Sequence, residues 1–435
     1  NGVHIPHRKN TAGMQAIKMP PPATVTIPMS MHIGKPANCI VAVGDHVNVG
    51  QMIGEPGGFV SSPVFASVSG TVKKIVPMLQ FMGATCQAVV IESDGQMTVA
   101  DTVKAPEITD YASFINAVRD SGVVGLGGAT FPTAVKLDVK DTSRIQEIII
   151  NGAECEGYIT SDHRTMLDRT DEVVEGCRLL EKWLDVKKII IAIEDNKPDA
   201  IEALTRIADD PKMDPNDEVR VLKLHASYPQ GAEKVLVQAA TGRKVPAGGL
   251  PADVGCLVMN IGSVSFLASY MRTGMPLTMK RVTVDGSAVQ NPQNVIVPIG
   301  TKIREVMEFC GGYKEEPQKL IMGGPMMGVA VTTDELPVLK QNNGLLAFGA
   351  EEARLLEPTD CIRCGRCVAA CPMNLVPAKL EKYAERKDVE MLKKLDIMTC
   401  MECGCCSFVC PAKRELVLVN KLSKGMVRAA MPPKK

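Results

Sequence analysis

The chain has 435 residues, more than one ordinary hydrophobic core spans, so several domains are expected. Its 49 basic residues balance 49 acidic ones, and a net charge of zero excludes the broad basic surface of a nucleic-acid binder. No run reaches the ~18 apolar residues of a membrane-spanning helix, and the polar start, with His4, His7, Arg8 and Lys9, has no apolar signal core, so the chain is expected to be soluble or peripheral to a membrane.

Residues 24–93 read as all-β. Short β-branched runs at 39–43, 70–76 and 88–91 are punctuated by turns at Gly44-Asp45, Gly57-Gly58 and Asp94-Gly95. The stretches 43–53 and 66–72 resemble the two halves of a biotinyl/lipoyl-like barrel-sandwich domain. In that family the halves frame a hairpin with a modifiable lysine. No lysine lies between Lys35 and Lys73 here, so the resemblance implies a structural or docking role and not a swinging-arm carrier.

From 111 to 267 strand and helix signals alternate. Residues 147–151, 187–194 and 218–224 are β-branched runs, while 198–208 and 231–240 carry helical spacing, with Asn196 the expected cap of the first helix. That is an α/β layer. From 277 to 330 the strands shorten. Residues 281–284 lead to a turn at Asp285-Gly286, 301–310 is helical and ends at Gly311-Gly312, and 319–322 is a strand. This resembles a small β-grasp ligand-binding module. Residues 341–357 read as a linker, and 376–386 and 388–396 as two short helices. The basic residues Lys413, Arg414, Lys421, Lys424, Arg428, Lys434 and Lys435 read as a solvated tail, with docking on an acidic partner or anionic lipid the less frequent alternative.

Nine of the 15 cysteines lie between Cys361 and Cys410. Cys361, Cys364, Cys367 and Cys371 are spaced C-x2-C-x2-C-x3-C and followed by Pro372. Cys400, Cys403, Cys406 and Cys410 repeat the run before Pro411. This spacing wraps [4Fe–4S] clusters in two-cluster ferredoxins, where the fourth cysteine of each run ligates the other cube. One cluster is therefore expected on Cys361, Cys364, Cys367 and Cys410, and the second on Cys400, Cys403, Cys406 and Cys371. Zinc would ask for two pairs per site instead. Cys405 is expected to be an unligated neighbour. The remaining six cysteines follow no framework spacing, which fits a reducing compartment. The helices between the runs resemble the α-helical ferredoxin type.

The segment from Gly122 to Thr133 is rich in glycine. Glycines let a backbone approach a ligand closely, and free amides can hold a phosphate, but the same residues equally make ordinary turns. The segment lacks the Gly-Lys-Ser/Thr ending of a Walker loop and the Rossmann order of strand, G-x-G-x-x-G and helix. Its core, Gly125-Leu126-Gly127-Gly128-Ala129-Thr130-Phe131-Pro132-Thr133, resembles the flavin loop of the complex I NADH-dehydrogenase flavoprotein and of the Rnf complex C-subunit family. Further landmarks follow in that family's order: 151–157 is similar to N-A-D-E-x-E-P-G, 228–233 to Y-x-x-G-E-E, and 260–263 to N-V-x-T. Leu126 stands where complex I flavoproteins have arginine. Ala153, Gly157 and Ala232 replace aspartate, proline and glutamate, departures that suit the Rnf branch.

The resemblance implies a non-covalent FMN over which NADH docks. Gly125, Gly127 and Gly128 would admit the flavin, and Phe131 would stack on the nicotinamide or adenine. Lys136 would meet the cofactor's negative charge, although a solvated lysine is an equal reading. Asn151, Gly231 and Glu233 fall on family cofactor positions. Glu156 matches the position that holds NADH and Glu154 its flavin-side neighbour, while Asn260 and Ser263 match flavin-phosphate contacts. Glu156 and Phe131 are thus the expected catalytic pair. A carboxylate near ribose hydroxyls favours NAD over NADP. His163 is expected at the surface, and no histidine pair has metal spacing.

The expected fold class is multidomain α/β plus β: a barrel-sandwich hybrid (1–100), a Rossmann-like α/β FMN/NADH domain (101–270), a β-grasp, SLBB-like module (271–345) and an α-helical two-[4Fe–4S] ferredoxin domain with the basic tail (346–435). The resemblance implies an NAD-dependent oxidoreductase, the FMN and iron–sulfur subunit of an ion-translocating ferredoxin:NAD+ oxidoreductase. It would sit on the cytoplasmic face of the cell membrane, with other Rnf-type membrane and iron–sulfur subunits as partners and ferredoxin reached indirectly. A soluble FMN/iron–sulfur reductase such as a cobalamin reductase is the alternative, and a relay subunit with a degenerate flavin loop a third.

Overall fold

The computed structural model describes residues 2–79, 85–214, 216 and 218–431. Two small antiparallel sheets form the first layer. One orders its strands as Thr24–Pro28, Thr85–Ser93, Gly70–Leu79 and His46–Val47, and the other as Asn38–Cys39, Met52–Glu55 and Val64–Phe65. Val25, Ile27, Val47, Ile53, Val64, Val72, Val89 and Ile91 point inward and are buried. The run expected as a strand over 39–43 pairs at Asn38–Cys39, adds one bond from the Ile40 amide to the Ile53 carbonyl at 3.0 Å, and leaves the sheet before exposed Val43.

The α/β layer is a parallel sheet ordered Val219–Leu224, Ile189–Glu194, Glu147–Gly152 and Cys256–Asn260. Both faces of strand Glu147–Gly152 are covered. Ile148 and Ile150 pack with the helices Thr170–Leu184 and Ile261–Thr273, and Ile149 packs toward helix Glu233–Thr241. That explains an unbroken isoleucine run in place of polar–apolar alternation. The chain adds two strands outward from Glu147–Gly152 and then returns to its other side with Cys256–Asn260. The order reverses between those two strands, and in open α/β sheets ligands bind at the carboxyl ends beside such a reversal. Asn196 does not cap helix Pro198–Ala208; Lys197 occupies that position, and the Asn196 amide oxygen instead accepts from the Lys197 ammonium.

A six-stranded sheet follows, ordered Ile17–Lys18, Gln293–Pro298, Met279–Asp285, Gly344–Phe348, Lys319–Met322 and Val329–Val331, with helix Ile303–Phe309 alongside. The expected linker at 341–357 is corrected here. Gly344–Phe348 is a fully buried strand paired on both sides, and it runs across the boundary expected at 345/346. Its apolar run Leu345-Leu346-Ala347-Phe348 is too short to separate from a loop by periodicity.

The C-terminal part is helical: Arg366–Ala370, Pro377–Glu385, Val389–Lys394, Cys405–Phe408 and Leu416–Ala429. Leu375, Leu380, Leu392, Ile397 and Val427 form its core. The basic stretch is not a solvated tail over its described part. It lies largely on helix Leu416–Ala429, with Lys424 bonded to the Cys400 carbonyl at 2.7 Å and Arg414 to Glu381 at 2.8 Å. Lys434 and Lys435 lie outside the described residues. Among the described residues no helix is long and apolar enough to cross a membrane.

Candidate functional site

The glycine loop closes on itself. The Gly125 amide donates to the Phe131 carbonyl at 3.0 Å, and the Thr130 amide donates to the Gly125 carbonyl at 3.1 Å. The half-buried Phe131 thus belongs to the loop's own frame. Gly127 and Gly128 stand exposed at the tip. Gly128 has φ +114°, a region that favours glycine, and open space lies where a Cβ would project. A Cβ on Gly127 would come within 3.0 Å of the Asn260 amide nitrogen. Among the described residues the Gly127, Gly128 and Ala129 amides make no hydrogen bond. Bare backbone with open amides at a sheet reversal is the cradle an FMN phosphate or ring requires.

Two side chains bond the loop from below, and a third, Asn260, packs beneath Gly127. The buried Ser263 hydroxyl donates to the Val124 carbonyl and accepts from the Leu126 amide, both at 3.0 Å. The Lys280 ammonium, on the β-grasp sheet, donates to the Leu126 carbonyl at 3.1 Å. Asn260 caps helix Ile261–Thr273 through Ser263 at 3.2 Å and donates to Asp162 at 2.7 Å. Burial and the neighbouring Glu154 carboxylate push the Asp162 carboxyl up, against the pull of Lys280.

The acidic turn lies beside this loop, at the end of strand Glu147–Gly152. Asn151 donates to the Gly231 carbonyl at 2.8 Å, joining two predicted positions. Glu154, at φ +49°, turns its carboxylate onto the first amides of helix Ser161–Asp168, 2.6 Å from the Asp162 amide and 3.0 Å from that of His163. It therefore caps a helix. Glu156 accepts from the Met326 and Met327 amides at 3.0 and 2.9 Å, and burial raises its carboxyl above the usual range. A Cβ on Gly324 would overlap the Glu156 carboxylate at 2.3–2.5 Å, so this approach depends on glycine there. Lys136 is not free in solvent: its ammonium bonds Glu233 at 2.7 Å and the Val258 carbonyl at 3.0 Å. His163 is likewise corrected. It is buried, with Nε2 2.8 Å from an Asp199 carboxylate oxygen.

Sequence reasoning missed the lysines that brace these loops. The fully buried Lys197 ammonium donates to the Ala153 carbonyl at 2.6 Å and pairs with buried Glu194 at 3.2 Å. Lys9 holds the Glu154 and Ile159 carbonyls at 2.7 and 2.6 Å. Lys340 donates to the Pro63 and Gly122 carbonyls at 2.8 and 2.7 Å, tying barrel, flavin loop and β-grasp together. Burial lowers Lys9 and Lys280 to about 8 and Lys340 to about 7. Nothing in a lone lysine's sequence context signals such a role. The Gly323-Gly324-Pro325-Met326-Met327-Gly328 turn, by contrast, is a glycine cluster that sequence alone can signal.

The eight cysteines sort into two sets. Cys361, Cys364, Cys367 and Cys410 line one cavity together with Ile362, Arg363 and Arg414. Cys371, Cys400, Cys403 and Cys406 line another with Met401, Gly404 and Asn420. The two runs share backbone geometry at matching positions 39 residues apart. Arg363 and Glu402, Gly365 and Gly404, and Asn374 and Lys413 all have positive φ. Cys405 is fully buried and directs its thiol to the Tyr228 carbonyl at 3.8 Å. Among the described residues no three His, Cys, Asp or Glu side chains converge on a point fit for a single metal ion. Cavities walled by four thiols suit a cube, in which each thiolate takes a separate iron.

The second set adjoins the flavin domain. Tyr228, Val3, Ile5, Ala370, Cys403 and Cys405 form one buried cluster with Cys155 and Met326 at its edge. A parallel α/β sheet with a bare glycine cradle at its reversal, joined to a dicluster ferredoxin domain, defines an FMN- and iron–sulfur-binding flavoprotein of the NADH-dehydrogenase type. Residues 118–269 match the Nuo51 FMN-binding domain, 1–96 the RnfC barrel sandwich hybrid domain, 281–330 the SLBB domain and 360–413 the 4Fe-4S dicluster domain. The chain is 45% identical over 421 residues to the C subunit of the Na(+)-translocating ferredoxin:NAD(+) oxidoreductase complex of Acetobacterium woodii, covering 96% of this chain and 94% of that protein. It is 41% identical to the C subunit of the proton-translocating ferredoxin:NAD(+) oxidoreductase complex of Clostridium ljungdahlii, covering 99% and 94%. To the C subunit of the ion-translocating oxidoreductase complex of Rhodobacter capsulatus it is 38% identical, covering 91% and 77%. The crystal structure of an NAD+-reducing [NiFe]-hydrogenase shares the fold at 17% identity and a TM-score of 0.50, over 77% of this chain and 66% of that one. The chain belongs to the Rnf complex C-subunit family.

Proposed function

We propose that this chain is the NAD(H)-reactive subunit of an ion-translocating ferredoxin:NAD+ oxidoreductase, peripheral on the cytoplasmic face of the membrane beside the complex's other subunits. When bound, FMN exchanges a hydride with nicotinamide, and the two [4Fe–4S] clusters carry single electrons. The Gly127–Ala129 backbone and the N-terminus of helix Ile261–Thr273 receive the flavin and its phosphate. Ser263, Lys280 and Asn260 hold that loop in place. The Glu156 carboxylate, fixed by two amides, would meet the ribose hydroxyls, and Phe131 would cover the nicotinamide. Lys136 paired with Glu233, and Asn151 bonded to Gly231, would supply the remaining cofactor contacts. Cys361, Cys364, Cys367 and Cys410 hold one cluster, and Cys371, Cys400, Cys403 and Cys406 the other.

The observation that carries this reading is the Tyr228 junction, where the flavin domain and the Cys403 loop share one buried cluster. It brings a hydride site and a one-electron site against each other. The leading barrel, matched as the RnfC barrel sandwich hybrid domain, favours this assignment over a cobalamin reductase. Anaerobic titration with NADH of the chain loaded with FMN, iron and sulfide tests it. Bleaching of both flavin and iron–sulfur bands, lost in Glu156→Ala, is expected; flavin untouched by NADH would leave only a relay role.

A further inference from the structure

The two cysteine sets differ sharply in what covers them. Cys371, Cys403 and Cys406 are buried. A Cβ on Gly404 would lie 3.1 Å from the carbonyl of Met326, the residue whose amide holds Glu156. This inner set is walled in by Tyr228 of the flavin domain and Met326 of the β-grasp module. In the outer set, Cys361 and Cys364 are exposed, and Ile362 between them is 67% exposed. Val368 and Leu355 are also exposed nearby in sequence. A redox-active cysteine run left open beneath large apolar side chains is a feature that soluble surfaces avoid unless a partner covers it.

Charge indicates the partner. Residues 361–380 carry Arg363, Arg366 and Lys379 and no aspartate or glutamate, and these cations outnumber the exposed acids that flank the outer set, Asp360 and Glu415. All three cations are exposed. The other charged group at the cavity, Arg414, is neutralised by Glu381 and Glu385.

We infer that the surface over Cys361, Ile362, Cys364 and Arg366 is the docking face for a one-electron redox protein whose cofactor edge is acidic with an apolar centre. The inference rests on the function proposed above. At this face one electron crosses per encounter: what the partner's centre loses, the outer cluster gains, or the reverse, and no bond or proton is exchanged. The cationic rim steers the acidic partner, and the apolar centre excludes water over the exposed thiolates.

The test uses Arg366→Glu combined with Lys379→Glu in the full chain loaded with FMN and both clusters. The partner is supplied as membranes that carry the remaining complex subunits but lack this one. Co-sedimentation measures binding without NADH, so its result stands apart from the nicotinamide chemistry. The unaltered chain is expected to bind the membranes in a salt-sensitive way. The double variant should bind at least ten-fold more weakly, with both cluster EPR signals intact after dithionite reduction. Unchanged binding would overturn the inference. So would equal binding to vesicles of the same lipids without protein, or a variant whose only change is from dimer to monomer, since either assigns the face to lipid or to a second copy.

Discussion

The Tyr228 hydroxyl donates a 2.7 Å hydrogen bond to the Cys403 carbonyl, joining the α/β layer to the inner cysteine loop inside a fully buried cluster. Tyr228→Phe removes the donor and leaves a buried carbonyl unpaired, at a cost of about 1 kcal/mol, roughly fivefold in a local opening equilibrium. One cluster should lose iron to a chelator severalfold faster in this variant while the other is unaffected. Chelator kinetics followed by EPR check this; equal loss from both clusters would sink it.

The cavity linings predict which substitutions act together. Cys410→Ser should abolish the same EPR signal as Cys361→Ser, and Cys371→Ser the same signal as Cys400→Ser. Cys405→Ala should retain the full complement of about eight irons. Iron analysis with EPR decides, and pairing by sequence run instead of by cavity would refute the assignment.

Alanine at the loop tip should weaken flavin binding, at Gly128 partly by straining the loop's own backbone. Gly128→Ala places a Cβ at φ +114° in the space kept open for the ligand, and Gly127→Ala presses on Asn260 at 3.0 Å. Each is expected to weaken FMN binding at least ten-fold by flavin-fluorescence titration. Gly13→Ala, with nothing within 4 Å of its Cβ, should leave binding unchanged.

Lys340 gives a pH signature. Its ammonium loses its proton near pH 7 in the fold, lowered by burial, but only near 10.4 in the unfolded chain. Between those values the unfolded state binds the extra proton, so stability attributable to this group rises with pH and levels off above the unfolded value. Lys340→Met lacks that slope. The urea midpoint of the wild type minus that of the variant should therefore increase from pH 7 to 10. A constant or falling difference would contradict a neutral buried amine.

Features whose chemistry demands fixed residue types were legible in sequence. The spacing of Cys361 to Cys371 and its repeat gave the two cavity linings, because four thiols within eleven residues have few other uses. The Gly125–Thr133 loop was legible only as a glycine cluster that equally makes a turn, and its expected flavin role came from the family resemblance. Glu154 and Glu156 look alike in the chain, yet one caps a helix and the other is held by Met326 and Met327, a division set by tertiary contacts alone. Gly344–Phe348 was missed because a five-residue apolar run carries no period. The bracing lysines Lys9, Lys197, Lys280 and Lys340 find their carbonyls 44 or more positions away along the chain, beyond the reach of any local pattern. At Leu126 the arginine of complex I flavoproteins is missing, but Lys280 brings a cation to the same loop from another domain.

Each half of the 39-residue repeat ends by lending its last cysteine to the cavity of the other half. Neither half is a finished site, so a chain emerging during synthesis exposes three thiols of the outer cavity long before Cys410 arrives to close it. On the proposed ligation, maturation of the two clusters is interdependent, and a truncation before the second run would forfeit both complete sites, not just the distal one.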